Sequence, residues 1–163
     1  MDISFFREHM FFLFIICMVC IVAVICLYPH NKVQAQQQKV GNSDFGVVYI
    51  NPDTVEAVQK DNVYYLVVSV EEVYTDKKFL EQLRSGEDMQ EAVSALDLYM
   101  FTNDGRFYCT PQRFVIDKNS KVCADLGGDV QMKPVDERII TDIYVSALKV
   151  LENRQRFQSM IAK

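Results

Sequence analysis

Histidine is almost missing from this chain, and that limits the chemistry the chain can perform. The only two, His9 and His30, flank an apolar N-terminal segment. Nucleophilic triads need an imidazole base, and histidine is the commonest ligand of catalytic zinc. The chain also lacks a GxxxxGK[ST] phosphate loop and a GxGxxG dinucleotide motif. We therefore predict a protein without catalytic residues, metal or cofactor.

Carboxylates are the remaining groups that could perform acid–base chemistry. Asp97 and Asp104 could act as an acid and a base, but a chain with 22 acidic residues offers many such pairs and none stands out. A small envelope hydrolase that uses carboxylates without histidine is therefore the alternative to a binding function. The segment from Asp117 to Lys121 begins like a calcium loop, yet it lacks the third ligand and the next glycine, and we interpret it as a turn.

Three tyrosines, Tyr65, Tyr99 and Tyr108, are the candidate binding residues. Pro111 cannot donate a ladder hydrogen bond, so its strand must lie at an edge of the sheet or be bulged there. An exposed edge can accept a strand from a partner, and the three tyrosines are candidate contacts near that edge or on the less covered face of the sheet. The competing interpretation is that these rings cover the core.

Cys109 and Cys123 are the only cysteines after the apolar segment, and an oxidising compartment would allow them to form a disulfide. With a tight turn between their two strands, Cys123 lies opposite Phe114, five positions from Cys109. That offset is roughly 17 Å along a strand, beyond the ~7 Å limit on the Cα separation of a bridge. We predict two unbridged thiols, unless Pro111 or the Gly127-Gly128 pair breaks the hairpin.

Residues 10–28 are nineteen residues without a charge, an amide or a glycine. At ~1.5 Å per helical residue, this run nearly matches the ~30 Å hydrocarbon core of a bilayer. Its length favours a retained transmembrane helix, whereas Pro29 and the small residues that follow favour a secretory signal cleaved after Ala35. Residues 1–35 are therefore predicted to be a membrane anchor or a signal peptide, and either fate places the rest of the chain outside the cytoplasm.

The chain after Ala35 is long enough for one domain with a sizeable core. Residues 36–44 are predicted to be a flexible tether, residues 45–155 the domain and residues 156–163 a tail. The formal net charge of −5 leaves no basic stripe for phosphates, which argues against nucleic acid as a partner. The predicted partners are the membrane, through residues 10–28, and an envelope or extracellular protein.

Alternating apolar residues and turn signals predict about six β-strands. The best strand, residues 63–74, should be central because it is rich in β-branched and aromatic residues. The other predicted strands are residues 47–50 in a hairpin with 54–59, residues 96–101 in a hairpin with 106–116 across the turn Asn103-Asp104-Gly105, and residues 121–124.

Two helices complete the predicted fold. The first begins after a cap at Thr75 or Asp76 and ends at Gly86. The second, from Asp136 to about Gln155, carries one apolar stripe and should pack across the sheet. The predicted class is α+β, with a single antiparallel sheet covered by the C-terminal amphipathic helix and the short middle helix.

The order of these pieces resembles the surface-adhesin E-like family of small bacterial envelope proteins. The resemblance rests on residues 48–55 (VYINPDTV), where the family has an extended element and a turn, on residues 104–109 and 114–117 as its second hairpin, and on residues 140–144 as its closing helix. It implies an exported, non-enzymatic protein with one antiparallel sheet and helical cover. We therefore predict a membrane-tethered binding or structural module of a bacterial cell envelope.

Overall fold

The computed structural model describes residues 37–60, 63–86 and 88–161, which form one antiparallel seven-stranded sheet and two α-helices. The α+β class and the single antiparallel sheet are confirmed, with one strand more than predicted. The strands are β1 Gln38–Asn42, β2 Gly46–Ile50, β3 Glu56–Lys60, β4 Val63–Tyr74, β5 Ala92–Thr102, β6 Phe107–Asp117 and β7 Val122–Pro134. The helices are α1 Lys77–Arg84 and α2 Arg138–Ile161.

These elements belong to residues 35–163, one of the two units into which the chain divides. No helix among the described residues is long and apolar enough to cross a membrane. The predicted anchor or signal, residues 10–28, lies outside the described part of the chain.

β4 is the central strand, as predicted, and its alternation defines the two faces of the sheet. Leu66, Val68 and Val70 are buried, whereas the residues between them are only partly covered. Because successive side chains of a strand point to opposite faces, this pattern assigns one face to the core. We call it the core face.

β2 and β3 lie end to end along one edge of β4 and do not form the hairpin that the sequence predicts. β2 pairs with residues 70–74 and β3 with residues 63–67. A short 3-10 helix, Pro52–Thr54, joins them, and Thr54 Oγ1 accepts a hydrogen bond from the Ser69 N–H of β4 at 3.0 Å. This bond holds the connection against β4.

α2 covers the core. Ile140, Ile143 and Ala147 are buried against β2 and β4, which confirms the predicted apolar stripe and its packing across the sheet. The helix begins at Arg138, two residues later than predicted, and continues past Gln155. Such shifts are expected, because helix ends carry weak sequence signals.

Arg154 joins the C-terminal half of α2 to the connection between β2 and β3. Its guanidinium donates hydrogen bonds to the carbonyl oxygen of Val55 at 2.9 Å and to that of Pro52. Both carbonyls belong to an irregular segment in which polar backbone groups need partners. One side chain therefore fixes the helix to the most irregular part of the β2–β3 edge.

α1 lies at one end of the sheet. Asp76 Oδ1 accepts the Phe79 N–H at 2.7 Å, which confirms the predicted cap. Phe79 stacks on Phe45 with ring centroids 4.4 Å apart and lies 4.8 Å from the ring of Tyr74. No residue of α1 itself is buried, although Phe79, Leu80 and Leu83 are partly covered, and the helix contacts β4 and β5.

The two edges of the sheet differ from the prediction. β1 lies inside residues 36–44, the expected tether, and pairs with β2. β7 continues to Pro134, whereas the sequence indicates only residues 121–124 as strand. Both are mostly exposed, so they lack the apolar alternation from which strands are predicted.

Pro111 lies in an interior strand, because β7 pairs with β6 on its outer side. The strand is bulged there, which was the other predicted possibility, with register shifts on both sides of Thr110. Gly128 of β7 passes so close that a Cβ atom would lie 2.1 Å from the Pro111 carbonyl. The missing side chain allows β7 to approach the bulge.

Gly128→Ala should lower the free energy of unfolding by about 2 kcal/mol, because the methyl group would overlap the Pro111 backbone. Urea unfolding followed by circular dichroism measures this loss. Gly86→Ala is the matched control, since the nearest atom to a Cβ there lies 3.5 Å away. Equal stability of the two variants would contradict the close approach.

Candidate functional site

α2 covers only part of the core face. Its main contacts are with β1, β2 and β4, and β5, β6 and β7 extend beyond it in the sheet order. A groove of about 790 Å³ opens over this uncovered part. Its volume is in the range of small-molecule sites, ~300 to 1,000 Å³.

The groove has a polar and aromatic floor. One wall is the β1–β2 turn, residues 42–45. A second wall is formed by Glu137 and the first residues of α2, 138–143, and residues 126–129 of β7 form the far side. The floor residues come from β4, β5 and β6 and are Glu72, Asp97, Tyr99, Tyr108, Thr110 and Arg113. Charges thus lie on the same face that is apolar beneath the helix.

A paired Asp97 and Arg113 form the centre of the floor. The two residues are opposite each other in the β5–β6 ladder. Arg113 donates through Nε to Asp97 Oδ1 at 2.8 Å and through Nη2 to Oδ2 at 2.7 Å. The Asp97 side chain is 4% exposed, whereas that of Arg113 is 44% exposed. The carboxylate is therefore the buried partner, and the guanidinium faces the groove.

This bidentate geometry has two consequences for Arg113. The hydrogen bonds to Asp97 raise the pKa of Arg113 above its already high ordinary value, so the guanidinium is always charged. Because the pair uses Nε and Nη2, the third nitrogen, Nη1, points away from Asp97 and can donate to another group. The buried carboxylate of Asp97 thus orients the guanidinium of Arg113 and leaves its Nη1 hydrogen-bond donors available to another group.

Tyr99 and Tyr108 form an aromatic surface next to this pair, with ring centroids 5.7 Å apart and planes inclined by 17°. Burial, with a smaller effect of the Asp97 charge, raises the pKa of Tyr99. Burial also raises the pKa of Tyr108 and the pKa of Tyr74 to about 12. All three phenols therefore keep their protons at neutral pH and can donate hydrogen bonds.

Glu72 brings a second carboxylate to the floor. It is partly buried on β4 and accepts a hydrogen bond from the Ser43 hydroxyl of the β1–β2 turn. The charges of Glu72 and Arg113 both act on the phenols of Tyr74 and Tyr99, which places the opposite charges near the same hydroxyls. Among the described residues, Glu72 has no cationic partner.

Two cations at the rim are each paired with a carboxylate, whereas the rim carboxylates Asp44 and Glu137 belong to no ion pair among the described residues. Lys133 Nζ lies 2.9 Å from Asp129 Oδ2, and this bond lowers the pKa of Asp129. Arg138 lies 3.8 Å from Asp142. These exposed pairs contribute little to stability. They do, however, compensate the charges of Lys133 and Arg138 locally.

The structure brings two of the three predicted binding residues together. Tyr99 and Tyr108 are both in the groove, whereas Tyr65 is next to the buried Leu66 and so lies on the opposite face of β4. The interpretation of these rings as core cover is also partly right, since both groove tyrosines contact the ring of Phe101.

Glu72, Arg113 and the role of Asp97 were missed by the sequence analysis. The available signal was Asp97 itself, which shares one face of β5 with Tyr99 and Phe101. A charge on such a face needs a partner. Arg113 could not be selected as that partner without the register of the β5–β6 hairpin, which depends on the bulge at Pro111.

Asp97 and Asp104, the carboxylates considered as an acid and a base in the sequence analysis, have separate partners. Asp104 lies in the turn after β5, where it accepts a hydrogen bond from Thr102 at 2.7 Å and contacts Arg106 at 3.1 Å. The segment from Asp117 to Lys121 is a turn, as interpreted, because the Asp117 carboxylate accepts the backbone N–H of Lys121 at 2.8 Å.

β6 and β7 keep Cys109 and Cys123 apart. Cys109 is buried, and Cys123 lies beside Val115, whose carbonyl oxygen accepts the thiol at 3.4 Å. Asp125, and not Cys123, is opposite Phe114, so the register differs from the predicted one. The observed register places the two cysteines further apart than the predicted one does, because Cys123 lies beside Val115, and Val115 is six residues, roughly 20 Å, along the strand from Cys109.

Comparisons of this chain with protein-family models, with curated proteins and with solved structures find no match.

Removing either partner of the floor pair should destabilise the fold unequally. Arg113→Met leaves a buried carboxylate without compensation and should cost about 3 kcal/mol, whereas Asp97→Asn leaves a half-exposed guanidinium and should cost less. Urea unfolding measures both. The double variant should be more stable than Arg113→Met alone, because it contains no unpaired buried charge; additive losses would contradict a direct interaction.

The tyrosine pKa values predict a loss of stability in alkali. A phenol whose pKa is raised by folding stabilises the folded state fully below the pKa of the unfolded chain, ~10, and this contribution is lost as the pH rises through the folded pKa. The free energy of unfolding should therefore fall as the pH rises from about 10, where the phenols of the unfolded chain lose their protons, towards about 12, the folded pKa of Tyr74. Tyr99→Phe should flatten this dependence, whereas the exposed Tyr64→Phe should leave it unchanged.

Proposed function

We propose that this chain is an exported, membrane-tethered, non-enzymatic binding module of a bacterial cell envelope, and that its ligand occupies the groove beside α2. The main support is the uncovered part of the core face, where an oriented cation, a carboxylate and stacked tyrosines line one concave space. Such convergence of a few polar groups with aromatic surface is typical of binding sites. Export is supported by the apolar residues 10–28.

The alternative is a carboxylate hydrolase, since Glu72, Asp97 and Asp129 all line the groove. Hydrolysis of this kind needs one carboxylic acid with a raised pKa as proton donor. Asp97 is bonded through both oxygens to Arg113, and the bond with Lys133 lowers the pKa of Asp129. These contacts argue against Asp97 and Asp129 as the proton donor, which leaves Asp44, Glu72 and Glu137 as the carboxylates that a hydrolase would use.

Changing Tyr99 and Tyr108 together to Ser should weaken retention of the ligand by about 30-fold, because each aromatic contact contributes ~1 kcal/mol. The measurement is the binding of envelope-extract components to the immobilised full chain, with circular dichroism to verify folding. Tyr65→Ser, on the opposite face, is the matched control. Equal retention by both variants would contradict binding in the groove, and turnover abolished by Glu72→Gln would favour the hydrolase.

A reporter enzyme fused after Lys163 should be active outside the cytoplasm if residues 10–28 direct export. The same fusion without residues 1–35 is the control and should stay in the cytoplasm. A full-length fusion that is active only in the cytoplasm would contradict the export part of the proposal.

A further inference from the structure

The groove floor offers one positive and one negative group to a ligand, and from this we infer that the ligand is a zwitterionic amino compound, a free α-amino acid or a short peptide, with an apolar or aromatic side chain. The inference rests on the proposed function, because it names the ligand class of the same groove. It assigns the carboxylate of the ligand to Arg113 and the ammonium group to Glu72.

Arg113 has the geometry of a carboxylate receptor. Asp97 binds one edge of the guanidinium through two hydrogen bonds of 2.7 and 2.8 Å, so the side chain is already ordered before a ligand arrives. An ordered receptor loses less conformational entropy on binding. Nη1 and the exposed part of the guanidinium remain for a second carboxylate, to which arginine binds through charge-assisted hydrogen bonds.

Glu72 has the position of an ammonium receptor. It is held by the Ser43 hydroxyl, and within the described ranges no cation lies within 4.0 Å of it. A simple anion is not the best ligand, because an anion bound to Arg113 would be repelled by the nearby carboxylate of Glu72. A ligand with charges of both signs satisfies both groups.

The spacing of the two groups suits a small molecule. Glu72 is on β4 and Arg113 on β6, two strands away, and the ladder places Glu72 two residues further along the sheet. With ~4.8 Å between strands and ~3.4 Å per residue, their Cα atoms are roughly 12 Å apart. Ala95 and Asp97 of β5 lie between these two positions in the ladder, and both side chains are long enough to extend into the groove above them, leaving room for a compact zwitterion.

The rest of the groove is suited to an apolar side chain. Tyr99 and Tyr108 provide a flat aromatic surface, and Ile139, Ile140 and Ile143 line the wall formed by α2. The rim cations Lys133 and Arg138 are already paired with carboxylates, so the groove does not offer the cluster of available cations that a phosphate-rich ligand would need.

The test uses the full chain and titration calorimetry with four probes: phenylalanine, phenylalaninamide, N-acetylphenylalanine and the dipeptide Phe-Phe. Wild-type protein should bind phenylalanine or the dipeptide at least ~10-fold more tightly than the amide, which lacks the carboxylate, or the acetyl compound, which lacks the ammonium group. The dipeptide distinguishes a peptide ligand from a free amino acid. These comparisons need no variant.

Two variants assign the charges. Arg113→Lys, which keeps a cation for Asp97 but removes the planar fork, should reduce the preference for phenylalanine over its amide. Glu72→Gln should abolish the preference for phenylalanine over the acetyl compound and leave the preference over the amide. Tyr65→Ser is the control outside the groove and should change neither.

Failure of this inference can be distinguished from failure of the proposed function. If capped and uncapped probes bind equally, or if neither zwitterion binds, the ligand class is wrong. The proposed function survives that result as long as the Tyr99 and Tyr108 double variant still loses the extract ligand. If that double variant retains the extract ligand as well as wild type, the groove is not the binding site.

Discussion

A single helix cannot cover this sheet, and most features of the molecule follow from that limit. Six strands side by side, at ~4.8 Å spacing, are roughly 24 Å wide, whereas a helix with its side chains is only ~10 Å wide. α2 is placed over β1, β2 and β4, where the core face is aliphatic. Beyond Phe101, which is buried in the same cluster, the groove over β5 to β7 has to tolerate water, and it does so with tyrosines and charges.

The pair formed by Asp97 and Arg113 is an expensive way to meet that requirement. Removing a carboxylate from water costs several kcal/mol, and a buried ion pair seldom improves on an apolar pair of similar volume. What the pair does provide is orientation, since two short hydrogen bonds define the plane of the guanidinium. A charged side chain that is positioned at the cost of stability is typical of binding surfaces. There the bound ligand supplies the hydrogen bonds that water made to this side chain before folding.

Local signals explain which parts of the fold could be predicted. The alternation of β4, the cap at Asp76 and the apolar stripe of α2 are encoded within a few neighbouring residues. The turn at Gly105, with φ of +68°, belongs to the same group. β1 and β7 have no such signal, because these exposed edge strands form through backbone hydrogen bonds to the neighbouring strand and not through a pattern of apolar side chains. The groove was missed for a related reason, since its charges meet only through the register of a bulged hairpin.

The bonds from Arg154 to Pro52 and Val55 connect residues that are about one hundred positions apart, and α2 also packs on β1, the first strand. The two ends of the folded region therefore have to meet before the core is sealed. Contacts so distant in sequence slow folding, because a long loop must close before any of them forms. A nascent chain that still lacks residues 138–161 leaves the apolar side of β2 and β4 without its cover. The order of the elements along the chain thus delays completion of the core until residues 138–161 have been synthesised.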